Sequence, residues 1–491
     1  MASMFQQPVS AGKGGWRFDH SYARLPEALF RRVDPVPVRE PGMYLFNPRL
    51  AGELGLDAEW LARPEQAGLF TGNAAPAGAC FLAQAYAGHQ FGHFTNLGDG
   101  RALLVGEHIT PRNLRVDIQF KGSGQTPFSR RGDGRAALGP MLREYVISEA
   151  MHGLGIPTTR SLAVATTGEP VFREEPLPGA VLTRVAASHI RVGTFELASA
   201  LGEPELLTTL ADYTMARHFP ACAEADEPYH ALLDEVVERQ ARLIAQWILV
   251  GFIHGVMNTD NVALSGETID YGPCAFMDAY DPGAVFSSID QRGRYAYGRQ
   301  PAIGQWNLSR FASCLLPLLD ENEEAALAKA QASIDRFGEI FHRAWASGMR
   351  AKLGLSREEP GDDAMIEALL RLMREDGLDY TNTFVALCAG RAPGPRPEVQ
   401  AWFEGWQARV GREDRSPEAT RAFMERCNPA VIPRNHRVEE ALEAAWRNGD
   451  KGPLERLLEA LNEPYNHAKP RAIYQQPPPP GLPPYRTFCG T

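Results

Sequence analysis

The spacing of hydrophobic residues divides the chain into a strand-rich stretch and a longer helical stretch. Between residues 78 and 185, short apolar runs alternate with polar or glycine-rich turns, a pattern typical of strands. The predicted strands lie at 102–105, 116–121, 160–165, 170–172 and 180–185. One helix is predicted among them at 141–154, because its apolar residues recur every three or four positions. Beyond residue 194 helical spacing takes over, with the first helices predicted at 205–219 and 229–253.

These changes of pattern predict an α+β fold with four regions. Residues 1–75 are expected to form a proline-containing N-terminal arm that wraps over the body of the protein. Residues 76–192 are expected to form a small lobe of strands and one helix, and residues 193–320 a larger helical lobe. Residues 321–491 predict a helical extension with an extended, proline-rich tail that ends in Cys-Gly-Thr.

A polar stretch that starts at His254 follows the second of these helices. Two short predicted strands within it, 262–264 and 268–269, are joined by a tight turn and should form a hairpin. The hairpin would bring Asn261 and Asp270 side by side, with both side chains presenting oxygen to one point. Two oxygen ligands completed by phosphates are a usual way to bind Mg²⁺ for phosphoryl chemistry. A single Asn or Asp more often serves a turn, so the metal hypothesis depends on the joint pattern.

The same stretch resembles the catalytic loop and the Asp-Phe-Gly segment of protein kinases. It departs from them at one position, because no Asp stands two residues after His254, where a kinase has its base. The pattern therefore indicates a two-lobed, protein-kinase-like fold with rearranged carboxylates. Three functions stay open at this point: a kinase that transfers the γ-phosphate of ATP, a nucleotidyltransferase, and an inactive pseudokinase scaffold that only binds nucleotide.

Candidate phosphate-binding groups precede this stretch in the chain. Gly98 and Gly100 lie in a turn before Arg101, and glycines at such turns let backbone N–H groups approach phosphate oxygens. Alone, they favour a plain hairpin turn. Lys121 changes the picture, because it ends an alternating strand and points inward, where an ammonium group needs an anionic partner. Glu144 in the predicted helix is the expected partner, since kinases pair a strand lysine with a helix glutamate.

Composition adds the setting in which this site would operate. The chain has 491 residues, of which 44% are hydrophobic and 22% charged, as in ordinary globular proteins. The net charge of −10 argues against a general nucleic-acid binder but leaves room for a local basic pocket. No secretory signal is evident, and the most apolar run, 243–253, is too short to cross a bilayer. A cytoplasmic protein without a membrane partner is therefore expected.

The segment after the candidate metal site mixes glycine, proline and aromatic residues over 273–308, which predicts an ordered, irregular loop that faces the substrate. It begins beside one of seven scattered cysteines, whose spacing argues against a disulfide scaffold and against a zinc site. Two of the cysteines stand at unusual positions. Cys274 directly follows the candidate metal segment, and Cys489 is third from the end of the chain.

Motifs spread over nearly the whole chain point to one family. They are Leu97-Gly-Asp-Gly-Arg101, Gln119-Phe-Lys-Gly-Ser-Gly124, the loop from Arg130 to Arg135, Asn258-Thr-Asp-Asn261, Ile269-Asp-Tyr-Gly-Pro273, residues 298–308 and 428–436, and the terminal Cys-Gly-Thr. Together they resemble the selenoprotein O (SelO) family. The resemblance implies a kinase-like fold that binds ATP in a flipped orientation. It also implies transfer of AMP, and not of phosphate, to Ser, Thr or Tyr hydroxyls of other proteins.

The resemblance further implies a role for each candidate residue. Asp260 resembles the proton acceptor, and Asn261 and Asp270 resemble the ligands of Mg²⁺, with Mn²⁺ as an alternative. The nucleotide would be bound by Gly98, Gly100, Arg101, Lys121, Asp133, Gly134, Arg184, Arg191 and Asp270, with Glu144 holding Lys121. A redox disulfide between Cys274 and Cys489 is implied as well. The implied partners are ATP and hydroxyl-bearing proteins, and the chain is expected to be monomeric and to bind no nucleic acid.

The candidate residues suit adenylyl transfer for an electrostatic reason. Attack at the α-phosphorus makes pyrophosphate the leaving group, so negative charge builds on the β and γ phosphates. Arg101, Lys121, Arg184 and Arg191 supply more positive charge than the strand-rich lobe of a kinase usually does, and arginine binds phosphate bidentately. A missing kinase base beside this surplus of cations favours nucleotidyl transfer over γ-phosphate transfer.

Overall fold

A large antiparallel sheet occupies the first part of the chain, and helices fill most of the remainder. The computed structural model describes residues 12–469, 472–483 and 485–488. Over these residues the fold is mixed α/β, and the strands precede the long helices as the hydrophobic pattern predicts.

The strands are β1 (Phe18–Asp19), β2 (Phe30–Arg32), β3 (Gly42–Phe46), β4 (Leu82–Gln84), β5 (Ala87–Gln90), β6 (His93–Asn96), β7 (Ala102–Ile109), β8 (Arg115–Lys121), β9 (Ala136–Ala137), β10 (Arg160–Phe172), β11 (Pro176–Ala186), β12 (Phe252–Ile253) and β13 (Ala275–Phe276). The helices are α1 (Pro48–Leu54), α2 (Ala58–Leu61), α3 (Gly68–Thr71), α4 (Leu138–Gly153), α5 (Val192–Ala200), α6 (Pro204–His218), α7 (Pro228–Leu249), α8 (Gln300–Leu319), α9 (Glu323–Lys352), α10 (Asp362–Asp376), α11 (Tyr380–Cys388), α12 (Pro397–Val410), α13 (Pro417–Cys427), α14 (Asn435–Asn448), α15 (Gly452–Asn462) and α16 (Ala472–Gln475). Short 3₁₀ turns connect several of them.

The main sheet sets the position of the basic side chains. Its strands run in the order β2-β4-β7-β8-β11-β10-β3, with β1 paired to β7 and β9 to β11. Lys121 ends β8 opposite Leu182 of β11, and Gln119 stands opposite Arg184 on the same pair of strands. Because alternate residues of a strand share a face, Lys121, Gln119 and Arg184 all point to one side of the sheet.

The segment predicted as an N-terminal arm is joined to this sheet by backbone pairing. It contributes β1 on β7, β2 on β4 and β3 on β10. Its helices bury apolar side chains such as Leu50 and Phe70 against Phe120 and Leu162 of the sheet. The segment therefore covers the sheet face that lies opposite the basic side chains.

Helix α4 crosses the other face of the sheet and is buried on both of its sides. It contacts β10 and β11 on one side and α14 and α15 on the other. Because of this burial Glu144, in the second turn, is only 2% exposed although it carries a charge. The helix starts at Leu138, earlier than predicted, because Pro140 in the first turn needs no partner for a backbone N–H.

Helix α7 ends sooner than the predicted 253. Gly251 adopts the left-handed conformation (φ 73°), which ends the helix. The next residues form β12, which pairs with β13 instead of continuing the helical turn. This pairing brings the segment after residue 270 back beside the start of the polar stretch.

The predicted hairpin at 262–269 is wrong in its pairing. The turn is present, since the N–H of Gly266 donates to the carbonyl of Ala263 at 3.1 Å. The flanks, however, do not pair with each other, because Ala263 bridges to Arg191 and Thr268 bridges to Thr158. Each flank finds its partner in the strand-rich part of the chain, an outcome that local pattern cannot reveal.

The proline-rich tail returns to the loop that follows the candidate metal segment. The N–H of Thr487 donates to the carbonyl of Phe286 at 2.8 Å, and its carbonyl accepts from Ser288 at 2.9 Å. Cys489 itself lies outside the described residues. Across the described part of the chain, no helix combines the length and the apolar content needed to span a membrane.

Candidate nucleotide-binding site

A cavity of about 520 Å³ lies at the end of β8, between the sheet and the polar stretch at 254–272. This volume is within the range of small-molecule binding sites. The cavity is lined by eleven of the predicted site residues, Gly98, Gly100, Arg101, Lys121, Asp133, Gly134, Arg184, Arg191, Asp260, Asn261 and Asp270. Residues that are distant in sequence thus converge on one space.

Asp270 is the centre of a cluster of cations. Its Oδ1 lies 2.8 Å from the Nζ of Lys121 and 2.8 Å from an Nη1 of Arg184, and its Oδ2 lies 3.3 Å from Arg191. Burial alone would raise the pKa of Asp270. The three cations outweigh that effect and hold the pKa well below its usual range. Asp270 is therefore ionised at neutral pH.

The predicted pairing of Lys121 with Glu144 is present. The Nζ of Lys121 donates to the Oε2 of Glu144 at 2.6 Å. Arg184 also contacts this carboxylate at 3.2 Å, and its Nη2 donates to Gln119 at 2.6 Å. Glu144 and Gln119 thus hold the charged groups of Lys121 and Arg184 in place at the wall of the cavity.

Asp260 is a buried carboxylate at the side of the cavity. Burial raises its pKa to about 6, and the nearby charge of Asp270 raises it as well, whereas Arg191 lowers it. Among the described residues its Oδ1 has no hydrogen-bond partner. A carboxylate in this state is suited to accept a proton from a reacting group.

Strand β5 shapes the surroundings of Asp260. A side-chain Cβ at Gly88 would lie 2.5 Å from the Oδ1 of Asp260 and 2.9 Å from its Cβ, so only glycine fits there. The next residue, His89, donates its backbone N–H to Thr259 at 2.6 Å and contacts Glu196 with its ring. Thr259 in turn donates to Glu196 at 2.5 Å. This network holds the loop that carries Asp260.

The metal-ligand prediction concerns Asn261 and Asp270, which line the same cavity. The amide nitrogen of Asn261 donates to the carbonyl of Val256 at 2.9 Å, which leaves the amide oxygen for a cation. Within the described residues no group of three or more His, Cys, Asp or Glu side chains is placed to hold a metal ion. A cation here would therefore need oxygen ligands from the phosphates of a nucleotide.

The rim of the cavity is formed by two glycine-containing loops. A Cβ at Gly98 (φ 125°) would lie 2.4 Å from the ring of Phe128. A Cβ at Gly134 would lie 2.1 Å from the carbonyl oxygen of Gly124, so the two loops need glycine at these positions. Asp133 stands at the rim and pairs with Arg173 at 2.8 Å.

Two residues other than glycine line the cavity in the left-handed backbone conformation, Phe91 (φ 51°) and Asp270 (φ 60°). This conformation costs on the order of 1 kcal/mol for such residues. Strain of this kind persists where the surrounding structure imposes it, and it clusters at functional sites.

Several residues at the site were not predicted from the sequence. Tyr86 places its ring 4.4 Å from the guanidinium of Arg191 and lines the cavity. Arg173 and Gln119 hold other site residues, as described above. His89 and Glu196 support Asp260, and the sequence marks only Glu196, as the one charged residue of the segment 192–200.

Cys274 is fully buried, and burial raises the pKa of its thiol to about 11. Such a thiol is mostly unreactive at neutral pH. Its predicted partner, Cys489, lies outside the described residues. The disulfide therefore stays a prediction.

Comparison with known proteins identifies the family. The family described as Protein adenylyltransferase SelO matches residues 16–462. The Protein nucleotidyltransferase YdiU of Geobacillus kaustophilus is 61% identical over 481 residues, which cover 97% of this chain and 99% of the relative. The protein of the same name from Brevibacillus brevis is 60% identical over 481 residues, which cover 97% and 98%. The resemblance found in the sequence motifs is confirmed, and the chain belongs to the SelO family of protein adenylyltransferases.

Proposed function

We propose that the cavity binds ATP with its triphosphate toward Lys121, Arg184 and Arg191, and that AMP passes to Ser, Thr or Tyr hydroxyls of other proteins. Family membership gives the reaction class, which is protein nucleotidyl transfer with ATP as substrate. The convergence of the three cations on one carboxylate is the observation that carries the proposal. These cations are fixed before the reaction and can stabilise the charge that develops on pyrophosphate.

Asp260 is proposed as the proton acceptor. The hydroxyl oxygen of the target forms a bond to the α-phosphorus, and the bond from that phosphorus to the pyrophosphate oxygen breaks. The hydroxyl proton passes to the carboxylate of Asp260. A pKa near 6 suits this step, because the carboxylate is ionised at neutral pH and binds a proton more strongly than an ordinary aspartate does.

Asn261 and Asp270 are proposed to hold Mg²⁺, or Mn²⁺ in its place, together with the phosphates of ATP. The free amide oxygen of Asn261 and the ionised carboxylate of Asp270 are the oxygen ligands that such cations prefer. When bound, the cation would neutralise phosphate charge. Glu144 accepts a hydrogen bond from Lys121, and Gln119 accepts one from Arg184, at 2.6 Å each.

The arrangement supports a kinase-like reading of the fold. We propose that residues 76–192 and 193–320 are the two lobes around the cavity, with residues 1–75 as the arm and 321–491 as the helical extension. Arg184 and Arg191 are each 2% exposed at the inner end, whereas Asp133 is exposed at the rim. This gradient supports a flipped nucleotide, with the phosphates inside and the nucleoside near Asp133 and Gly134.

The position of the transferred label tests the function. The protein is incubated with a mixture of potential target proteins and ATP labelled at either the α or the γ phosphate. We expect covalent label from the α position only, since AMP retains the α-phosphate. Label from the γ position would show a kinase, and no label from either position would support the scaffold alternative.

Gly88→Ala should lower kcat for AMP transfer. The added methyl group would overlap the Oδ1 and Cβ of Asp260, so the carboxylate must move. A displacement of about 1 Å at a reacting group can cost as much as ~100-fold, so we expect a loss of about 10- to 100-fold. The measurement is kcat with α-labelled ATP at saturating target.

Gly52→Ala is the matched control for this variant. A Cβ at Gly52 in α1 meets nothing within 4 Å, so alanine is accommodated there without displacement. Its activity should equal that of the unmodified protein. Equal activity of Gly88→Ala and Gly52→Ala would show that the position of Asp260 does not limit transfer.

A further inference from the structure

The side of the cavity next to Asp260 is built from a hairpin tip and a turn. Asn258, two residues before Asp260, accepts hydrogen bonds at its Oδ1 from the N–H of Phe91 at 3.0 Å and from the hydroxyl of Tyr295 at 2.6 Å. Asp290 orders the turn, because its carboxylate accepts from the N–H groups of Arg294 and Tyr295 at 2.8 Å each. The loop that carries Asp260 is thus bracketed by two surface elements.

Four arginines in the turn and in the elements that follow it are called here the arginine rim: Arg292 and Arg294 in the turn, Arg299 directly before α8, and Arg310 in α8. The guanidinium groups of Arg294 and Arg310 lie 4.7 and 5.4 Å from the indole ring of Trp306. Arg294 also lies close to the hairpin tip, since a Cβ at Gly92 would be 3.7 Å from it. Arg299 donates to the carbonyl of Gly293 at 3.0 Å and so fixes the turn.

The charge of the arginine rim is not neutralised within the described chain. None of the four arginines forms a salt bridge with a described carboxylate. The carboxylates of Asp290 and Glu196 are 5% and 4% exposed and are engaged in the hydrogen bonds described above. The rim is therefore a positive surface on a chain whose net charge is −10.

ATP does not account for this positive surface. None of the four arginines lines the nucleotide cavity, whereas Lys121, Arg184 and Arg191 do. The cavity wall next to the arginine rim includes Ile289, which is 48% exposed. Phe94, in the hairpin formed by β5 and β6, is 47% exposed. Exposed apolar side chains beside arginines that lack a carboxylate partner suit the binding of a polypeptide better than that of a second nucleotide.

We propose that the arginine rim recognises acidic residues next to the acceptor hydroxyl of the target protein. The proposal rests on the proposed function, because it takes Asp260 as the site where the hydroxyl arrives. Guanidinium groups pair bidentately with carboxylates, and two of these groups make cation–π contacts with Trp306. Complementary charge at a rim speeds encounter and selects among partners. An acidic flank would thus be the feature that distinguishes preferred targets.

The test uses two peptides that differ only in the residues around one tyrosine. One peptide carries Asp and Glu on both sides, and the other carries Lys and Arg at the same positions. We expect kcat/KM with α-labelled ATP to be about 10-fold or more higher for the acidic peptide. Arg292→Glu with Arg310→Glu should remove or reverse this preference while the KM for ATP stays unchanged.

Two further variants separate recognition from folding. Arg294→Gln keeps a planar group over Trp306 but removes the charge, so it should weaken the preference in a protein that folds normally. Arg343→Glu alters an exposed arginine on α9, 69% exposed, and should leave the preference intact. The single variant Arg292→Glu changes net charge by the same amount as Arg343→Glu, and equal effects of the two would mean that net charge matters and that the arginine rim does not recognise the peptide.

Peptide binding is measured separately from AMP transfer, so that failure of the arginine-rim proposal can be distinguished from failure of the proposed function. Fluorescence anisotropy of the same peptides is recorded with a non-hydrolysable ATP analogue present. Equal binding of the two peptides overturns the arginine-rim proposal, whatever the transfer result. Tighter binding of the acidic peptide without any transfer of α-label would support the rim and contradict the proposed function. Rim-dependent binding of single-stranded RNA in place of the acidic peptide would also overturn the proposal.

Discussion

Asp270→Ala is expected to abolish AMP transfer, with a loss of at least about 10²- to 10³-fold in kcat. The carboxylate of Asp270 gathers Lys121, Arg184 and Arg191, and it is also the proposed oxygen ligand of the cation. Without this carboxylate the side chains of Lys121, Arg184 and Arg191 repel one another, and the proposed Mg²⁺ loses an oxygen ligand. Removing one partner from a buried ion cluster also costs about 3 to 5 kcal/mol of folding stability.

The measurement is incorporation of α-label at saturating ATP, together with ATP binding by calorimetry. Binding should persist, because the variant removes a negative charge from a site for an anion. The loss should therefore appear in kcat and not in the KM for ATP. Asp414→Ala, which alters a carboxylate that is 88% exposed, is the control and should be fully active. Normal incorporation by Asp270→Ala would exclude its role as a metal ligand.

Asp260→Asn is expected to lower kcat by about 10²- to 10⁴-fold, the usual contribution of a general base. The amide has nearly the same shape as the carboxylate, so the contact with Gly88 is kept while the ability to accept a proton is lost. In the unmodified protein Asp260 must be ionised to act. Because burial raises its pKa to about 6, activity should fall as the pH is lowered through about 6.

The pH profile of kcat/KM for the target protein checks this assignment. The acid limb near pH 6 should be present in the unmodified protein and absent from the residual activity of Asp260→Asn. Glu267 is the main competitor, since burial raises its pKa to about 7, but it does not line the nucleotide cavity. An unchanged acid limb in Asp260→Asn would assign the titration to another group.

The sequence predicted secondary structure correctly where the spacing of apolar residues within one segment determines it. The predicted 116–121 and 205–219 match β8 and α6 closely, because the apolar spacing over these residues has one clear period. The hairpin at 262–269 failed because each of its flanks pairs with a distant segment. The three strands of the N-terminal segment, β1, β2 and β3, were missed for the same reason.

The sequence predicted the contacts of the site that follow from the order of residues on a strand and the next helix. Lys121 and Glu144 were paired from their order on a strand and a helix, and they lie 2.6 Å apart. The support of Asp260 by His89 and Glu196 could not be predicted, because β5 reaches that loop only through the tertiary fold. No periodic pattern marks such contacts.

The burial of α4 from two sides limits how this protein can be shortened. Glu144, which holds Lys121, belongs to a helix whose outer surface is covered by α14 and α15, elements near the other end of the chain. A truncation at residue 320 would strip that cover and leave apolar side chains of α4 in water. The strand-rich part of the chain and the segment that carries α14 and α15 should therefore be kept together in any fragment of this protein.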